Sequence, residues 1–198
     1  MACIINQRNL HYNQLNIKKS KQQKKVIRKS WLLDKITDYL IYLTIIAFPI
    51  CFGIAFLKEF NFEENYLKAL IVILPASSYS GLLLYAILNI DNFKRINGTS
   101  KEENRKYVEL LCENFNWKLQ RHSKERSIIS FSADLFSWSR EIVFIYDKTD
   151  ILVNVTSFGL FKTKSPFHWF ADRKTEKKIE KEIFDSINND MPTSVKRK

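Results

Sequence analysis

The chain falls into stretches of sharply different polarity. Residues 1–38 are polar and basic, Tyr39–Leu57 and Ala69–Ile90 carry no charged side chain, and the remainder alternates apolar and polar positions on short periods. Each uncharged run is about 20 residues long, and a helix rising about 1.5 Å per residue carries such a run across a hydrocarbon core of about 30 Å. Eleven residues, Lys58 to Lys68, separate the two runs. The pattern predicts a transmembrane hairpin within residues 36–93, with spans at about 39–57 and 69–90. Pro49, Gly53 and Pro75 fall inside these runs, as lipid-embedded helices tolerate. Trp31, Tyr39 and Tyr42 frame one side and Phe60, Phe62 and Tyr66 the other, the aromatic enrichment expected at both interfaces.

After the second run, Asn97-Gly98 marks a turn. Thr99 and Ser100 then precede Glu102 and Glu103 as in a capping box. A helix is expected from about Lys101 to Asn114, with Tyr107, Val108, Leu111 and Phe115 on its apolar face. Four strand-like stretches follow: Trp117–Arg121, Ser127–Ala133, Glu141–Tyr146 and Ile151–Ser157. The third is apolar on both faces, which suits a central strand, and Asp147-Lys148-Thr149-Asp150 joins it to the fourth as an antiparallel hairpin. A last helix, about Arg173 to Asn188, has Ile179, Ile183 and Ile187 at four-residue spacing. Glu176, Lys177, Lys178, Glu180, Lys181 and Glu182 are read as its charged face, and Asp172 as its N-cap.

The expected fold class is therefore an α+β membrane protein. A two-helix transmembrane hairpin is followed by a soluble domain, residues 99–190, of helix, four antiparallel strands and helix, with one sheet face packed by both helices. Residues 1–35 read as a basic segment, mostly disordered or interfacial, in which Val26, Ile27, Trp31, Leu32 and Leu33 form one side of a short lipid-surface helix or extend the first span. Residues 191–198 read as a loose tail. The first span lies behind a long polar segment and reads as an uncleaved anchor.

Charge sets orientation. The net charge of +11 is uneven: residues 1–38 hold nine Lys/Arg against Asp34 and Asp38, the 58–68 loop has two basic and three acidic residues, and the chain beyond residue 91 is again basic. By the positive-inside bias both termini are expected in the cytoplasm. The densest basic cluster, Lys18–Lys35, adjoins a span, so anionic lipid explains it and nucleic acid is not an expected partner. Cys3, Cys51 and Cys112 are scattered, as are His11, His122 and His168, so neither a disulfide framework nor a metal site is expected. There is no Gly-rich phosphate loop, and no cofactor is expected. Neither span holds an ionisable residue at membrane depth, which argues against transport. Asp147 and Asp150 suit a turn better than acid–base work, and an enzyme is not expected.

Two features remain as candidate surfaces. Small residues at Ala47, Cys51 and Ala55, and at Ser77 and Gly81, have the spacing that lets helix backbones approach; they are expected to pack the hairpin, or else to form a homodimer face. The segment from Phe158 to Phe170 holds five aromatic residues, a Gly, a Pro and a His. Phe167, His168, Trp169 and Phe170 are its candidate partner-binding residues, against the alternative that these rings plug the end of the sheet. Leu135-Phe136-Ser137-Trp138 is a second aromatic knot.

Phe136-Ser137-Trp138, Ile142 to Asp147, Asn154, Ser157-Phe158-Gly159 and above all Ser165-Pro166-Phe167-His168-Trp169-Phe170 resemble a pattern in small bacterial membrane proteins of unassigned function. Those proteins place two spans before a soluble domain of this size, and the resemblance covers roughly residues 35–188. It implies the bacterial inner membrane and no particular activity. The expectation is a membrane-tethered binding or regulatory domain meeting a lipid or protein partner. The alternative is an immunity-type or structural protein acting through its hairpin.

Overall fold

A computed structural model describes residues 15–28, 32–59, 66–131, 139–159 and 163–190. Contacts divide the chain into two units: Ser30–Ile90, and residues 1–29 together with 91–198.

The first unit is a pair of helices, α2 (Leu32–Glu59) and α3 (Tyr66–Asn89). Both are long and apolar enough to cross a membrane. Their seam is narrow. A Cβ added at Gly53 of α2 would sit 3.5 Å from the Ala76 Cβ and 3.7 Å from Val72 of α3. Ser80, buried, donates its hydroxyl to the Ile46 carbonyl at 3.0 Å, which satisfies a group that lipid or protein interior would otherwise leave bare. The expected small-residue stripes do not make this seam. Cys51, Ala55, Ser77 and Gly81 are exposed, Ala47 is half-buried, and a Cβ at Gly81 would meet nothing within 4 Å. Four-residue spacing defines a face but not which way the face points. Phe48, Phe52 and Phe56 stack along the outside of α2 at 6.2 and 6.4 Å.

The second unit is a five-stranded antiparallel sheet between two unequal layers. Helix α1 (Ile17–Gln23) is followed, beyond the hairpin, by β1 (Lys94–Asn97), α4 (Lys101–Asn114), β2 (Leu119–His122), β3 (Arg126–Phe131), β4 (Ser139–Asp147), β5 (Asp150–Phe158), a 3-10 turn (Pro166–His168) and α5 (Trp169–Asp190). The spatial order is β1-β5-β4-β3-β2. The four expected strands are thus joined by a fifth. Lys-Arg-Ile-Asn has a single apolar residue and gives no periodic signal; β1 exists because its backbone pairs with Asp150–Val153 of β5. The β4–β5 hairpin forms as expected, with Asp147 opposite Asp150 and Lys148 in the left-handed region at φ 54°.

Helices α4 and α5 cover one face. Val108, Leu111, Ile179 and Ile183 meet Ile129, Ile142, Phe144, Tyr146, Ile151 and Val153 in the main core. The capping box is real: the Ser100 hydroxyl accepts from the Glu103 amide and the Glu103 carboxylate accepts from the Ser100 amide. Gly98 is demanded by proximity, since a Cβ there would overlap the amide of Asn104. Buried Asn104 accepts from Thr99 N and donates to the Thr149 carbonyl, tying α4 to the β4–β5 turn.

The opposite face corrects the reading of the N-terminal segment. Residues 15–28 form an ordered layer in which Leu15 and Val26 are buried on Val143, Ile145 and Leu152, with Ile17 and Phe93 beside them. Strand β4 is apolar on both sides because both faces are covered, and Val26 reaches the sheet rather than lipid. Asn16 caps α1, accepting from Lys19 N at 3.1 Å. Lys21 donates to the Tyr146 carbonyl, and Arg28 pairs with the nearly buried Glu141. The basic segment therefore spends part of its charge inside the fold.

Candidate functional site

Extended chain at Lys164–Ser165 bridges to the end of β5, with Ser165 N donating to the Ser157 carbonyl at 2.8 Å. Pro166 then opens the 3-10 turn, where its missing N–H and fixed φ cost nothing. The Ser165 hydroxyl and His168 Nδ1 lie 2.9 Å apart and close the turn. A turn this tight on a buried proline cannot bring all its rings inward. Phe167 is 50% exposed and Phe170 58% exposed, while His168 and Trp169 are half-buried. Trp169 meets Phe170 edge to face at 4.9 Å, and the Arg173 guanidinium lies 5.6 Å from the Trp169 ring centre. Of the four candidate residues, Phe167 and Phe170 face outward, Trp169 packs on Phe170 and His168 bonds Ser165. Phe161 and the knot Leu135–Trp138 lie outside the described residues.

Both ends of the turn are fastened to the same short stretch. On one side Lys164 Nζ lies 2.7 Å from Asp91 Oδ2. On the other, Arg173 Nη1 donates to the Asn92 carbonyl at 3.1 Å and pairs with Glu176 at 2.6 Å. Asn154 Nδ2 donates to that same carbonyl at 3.0 Å.

The first turns of α5 hold the turn against the sheet by two carboxylates. Beyond the four residues of β1, the edge of β5 would present bare amides. Glu176 Oε1 accepts from Val155 N at 3.0 Å, and Asp172 Oδ2 accepts from Ser157 N at 2.9 Å, with Oδ1 taking the Ser157 hydroxyl at 2.8 Å. The match is geometric. Four residues of helix rise about 6 Å and two residues of strand about 6.6 Å, so carboxylates at i and i+4 meet amides at j and j−2. Asp172 is therefore an edge cap and not a helix N-cap, and Glu176 is fully buried rather than on the charged face. Burial raises both pKa values: Glu176 is pushed up to about 7, opposed by Arg173 and the Val155 amide. Asp172 is raised against the pull of its Ser157 bonds and Arg140. A signal was present in the sequence. Positions 172, 176, 179, 183 and 187 form one continuous stripe at helical spacing, so both acids share the face of the buried isoleucines.

A second polar constellation joins four elements and left no trace in the linear sequence. Glu109 Oε1 lies 2.7 Å from His122 Nε2, His122 Nδ1 lies 2.6 Å from Ser127 Oγ, and Ser127 Oγ lies 2.6 Å from the Tyr146 hydroxyl. Arg105 Nε also bonds His122 Nε2. Burial, then Arg105, lowers the His122 pKa and favours the neutral ring. The order acid, imidazole, hydroxyl matches that of a hydrolytic triad, but Ser127 and Tyr146 are both fully buried, so no nucleophile reaches the surface. The arrangement satisfies polar groups beneath α4 and ties β2 to the core. Buried Cys112, its thiol pushed up to about 11 by burial, lies in the same core. Among the described residues, no three His, Cys, Asp or Glu side chains converge as metal ligands.

Comparison with protein-family models, curated proteins and solved structures found no match to this chain. Function is therefore read from the residues and their geometry.

Proposed function

We propose that the chain is an integral membrane protein whose helical hairpin holds the α+β unit at the bilayer surface, where that unit acts by binding or regulation. The observation that carries this reading is the distribution of apolar side chains around α2 and α3. Leu40, Leu43, Phe48, Phe52, Ile71, Leu74, Leu82 and Leu88 are all exposed, whereas a core helix of a water-soluble protein buries such residues. In water these helices would present an apolar surface with no partner; in a bilayer they are solvated. The basic flanks favour cytoplasmic termini and a short external loop, and the bacterial inner membrane accords with the resemblance of the Ser165–Phe170 motif.

The test of orientation is a pair of reporter fusions. Alkaline phosphatase inserted in the 58–68 loop is expected to be active and at the carboxyl terminus inactive; the reverse pattern would overturn the orientation. Binding by the soluble unit is tested by photocrosslinking in cells: Phe167→Ala with Trp169→Ala, if still folded, should lose the lipid or protein adducts that the wild type forms.

One observation favours a second reading, action through the hairpin itself as an immunity-type or structural protein. Cys51, Ala55, Ser77 and Gly81 face away from the hairpin seam. Exchanging both spans for unrelated apolar helices would abolish function in that case and spare it in the first.

A further inference from the structure

Residues 24–28, 91–93 and 164–173 are far apart in sequence, yet the fold gathers them. Val26 N donates to the Asp91 carbonyl at 2.8 Å and Phe93 N to the Lys24 carbonyl at 3.0 Å, and Lys25 bridges to Asn92. Lys164 and Arg173, which bracket the aromatic turn, bind Asp91 and Asn92. These positions are the places where the chain leaves the α+β unit. Helix α3 ends at Asn89, two residues before Asp91 and so within about 7 Å of it along the chain. Helix α2 begins at Leu32, four residues after Arg28, a reach of at most about 14 Å. Along the chain, both helices therefore join the α+β unit within a few residues of the stretch that anchors the turn.

We propose that the Phe167–Phe170 turn is a lipid-docking element, with Phe167 and Phe170 immersed in the bilayer's interfacial zone. The proposal rests on the membrane reading of α2 and α3. Phe167 lies three residues from Lys164, so its Cα is within about 11 Å of a residue clamped to the chain's exit. The headgroup zone on one side of a bilayer is about 5–7 Å deep, and the proposal puts the exposed rings within it. Exposed phenylalanines there exchange contact with water for contact with lipid. Exposed Lys24 and Lys25, held beside Asn92 and Phe93, and exposed Lys174, one turn past Phe170, supply the positive charge that anionic headgroups attract. Half-buried Trp169 packs edge to face on Phe170 and ties that ring to the fold. This charge and position favour lipid over a protein partner as the occupant.

Depth measurement on the full chain tests this. Cys3→Ser, Cys51→Ser and Cys112→Ser give a background for single spin labels at Phe167→Cys, Phe170→Cys and Thr149→Cys. The last lies in the exposed β4–β5 turn, where β5 begins, eight residues and about 26 Å from Phe158. Samples are reconstituted in nanodiscs of phosphatidylcholine and phosphatidylglycerol at 3:1, and flotation with lipid establishes insertion separately. Collision of each label with oxygen and with a water-soluble nickel chelate is then read. The expected result is an oxygen-to-nickel ratio several-fold higher at 167 and 170 than at 149. Ratios at 167 and 170 equal to that at 149, in a chain that floats with lipid, overturn the docking and leave the anchor standing. Shielding of 167 and 170 from both probes also overturns it, in favour of a protein contact. A chain that does not float overturns the membrane reading beneath both.

Discussion

Helices α3 and α5 are nearly the same length, 24 and 22 residues, and are arranged in opposite ways. Helix α5 buries Ile179, Ile183 and Ile187 and turns Lys177, Lys178 and Lys181 to water. Helix α3 exposes Ile71, Leu74, Leu82 and Leu88 and buries Leu83, Ala86 and Ser80. Burial in α5 follows the ordinary rule because its surroundings are water on one side and a sheet on the other. In α3 most of the described apolar side chains point out while Ser80 bonds inward to α2, the arrangement that suits an apolar solvent. On the proposed membrane reading the two helices meet different solvents, and the difference shows in which side chains each turns outward.

The sharpest way to break this comparison is to truncate or charge one residue of each helix. Ile183→Ala removes fully buried atoms from the main core and should cost about 2–5 kcal/mol, measured by urea unfolding of the α+β unit in the detergent-solubilised chain. Tyr79→Lys places a charge near the middle of α3, where insertion should be disfavoured by about 2.5–3.5 kcal/mol; the membrane-associated fraction should fall while the α+β unit stays folded. Were α3 in water, the same change would leave partitioning untouched or raise solubility.

A pH titration addresses the first turns of α5. Folded Glu176 keeps its proton up to about pH 7, whereas an unfolded glutamate releases it near 4.5. Between those values the folded state binds more protons, so the stabilisation is fully present below about 4.5 and is lost as pH rises through about 7. The whole effect is of order 3 kcal/mol, and Glu176→Gln should flatten the urea midpoint between pH 5 and 8. The smallest effect is expected at Phe184, which α5 exposes to water: Phe184→Ser should shift stability by no more than about 0.5 kcal/mol. A large loss there would mean that this outer face is covered in the native protein.

What the sequence disclosed and what it hid follow from range. The runs at Tyr39–Leu57 and Ala69–Ile90, the Ser100–Glu103 capping box and the Asp147–Asp150 hairpin are set by neighbours a few residues apart, and each appears where its local pattern puts it. Strand β1 was invisible because Lys94–Asn97 is held by backbone pairing to a strand more than fifty residues away. The layer at residues 15–28 was hidden for the same reason: a basic, glutamine-rich stretch resembles a loose arm until Val143, Ile145 and Leu152 are seen to need a cover. At the aromatic turn, composition singles out the segment, but only the fold shows Phe167 and Phe170 outside and His168 and Trp169 half-buried. Glu176 belongs by charge to the solvated face and by helical phase to the buried isoleucines, and Asp172 reads as an N-cap only because the helix start at Trp169 has no local signal. The Glu109–His122–Ser127–Tyr146 chain draws on one helix and three strands, and no linear spacing connects them.

The central claim is that lipid is the native solvent of α2 and α3. Its most direct test is extraction of cell membranes with alkaline carbonate, which strips peripheral proteins and leaves integral ones in the pellet. The chain should remain entirely with the pelleted bilayer and be released only by detergent. Recovery in the carbonate supernatant, with the α+β unit folded, would contradict the account.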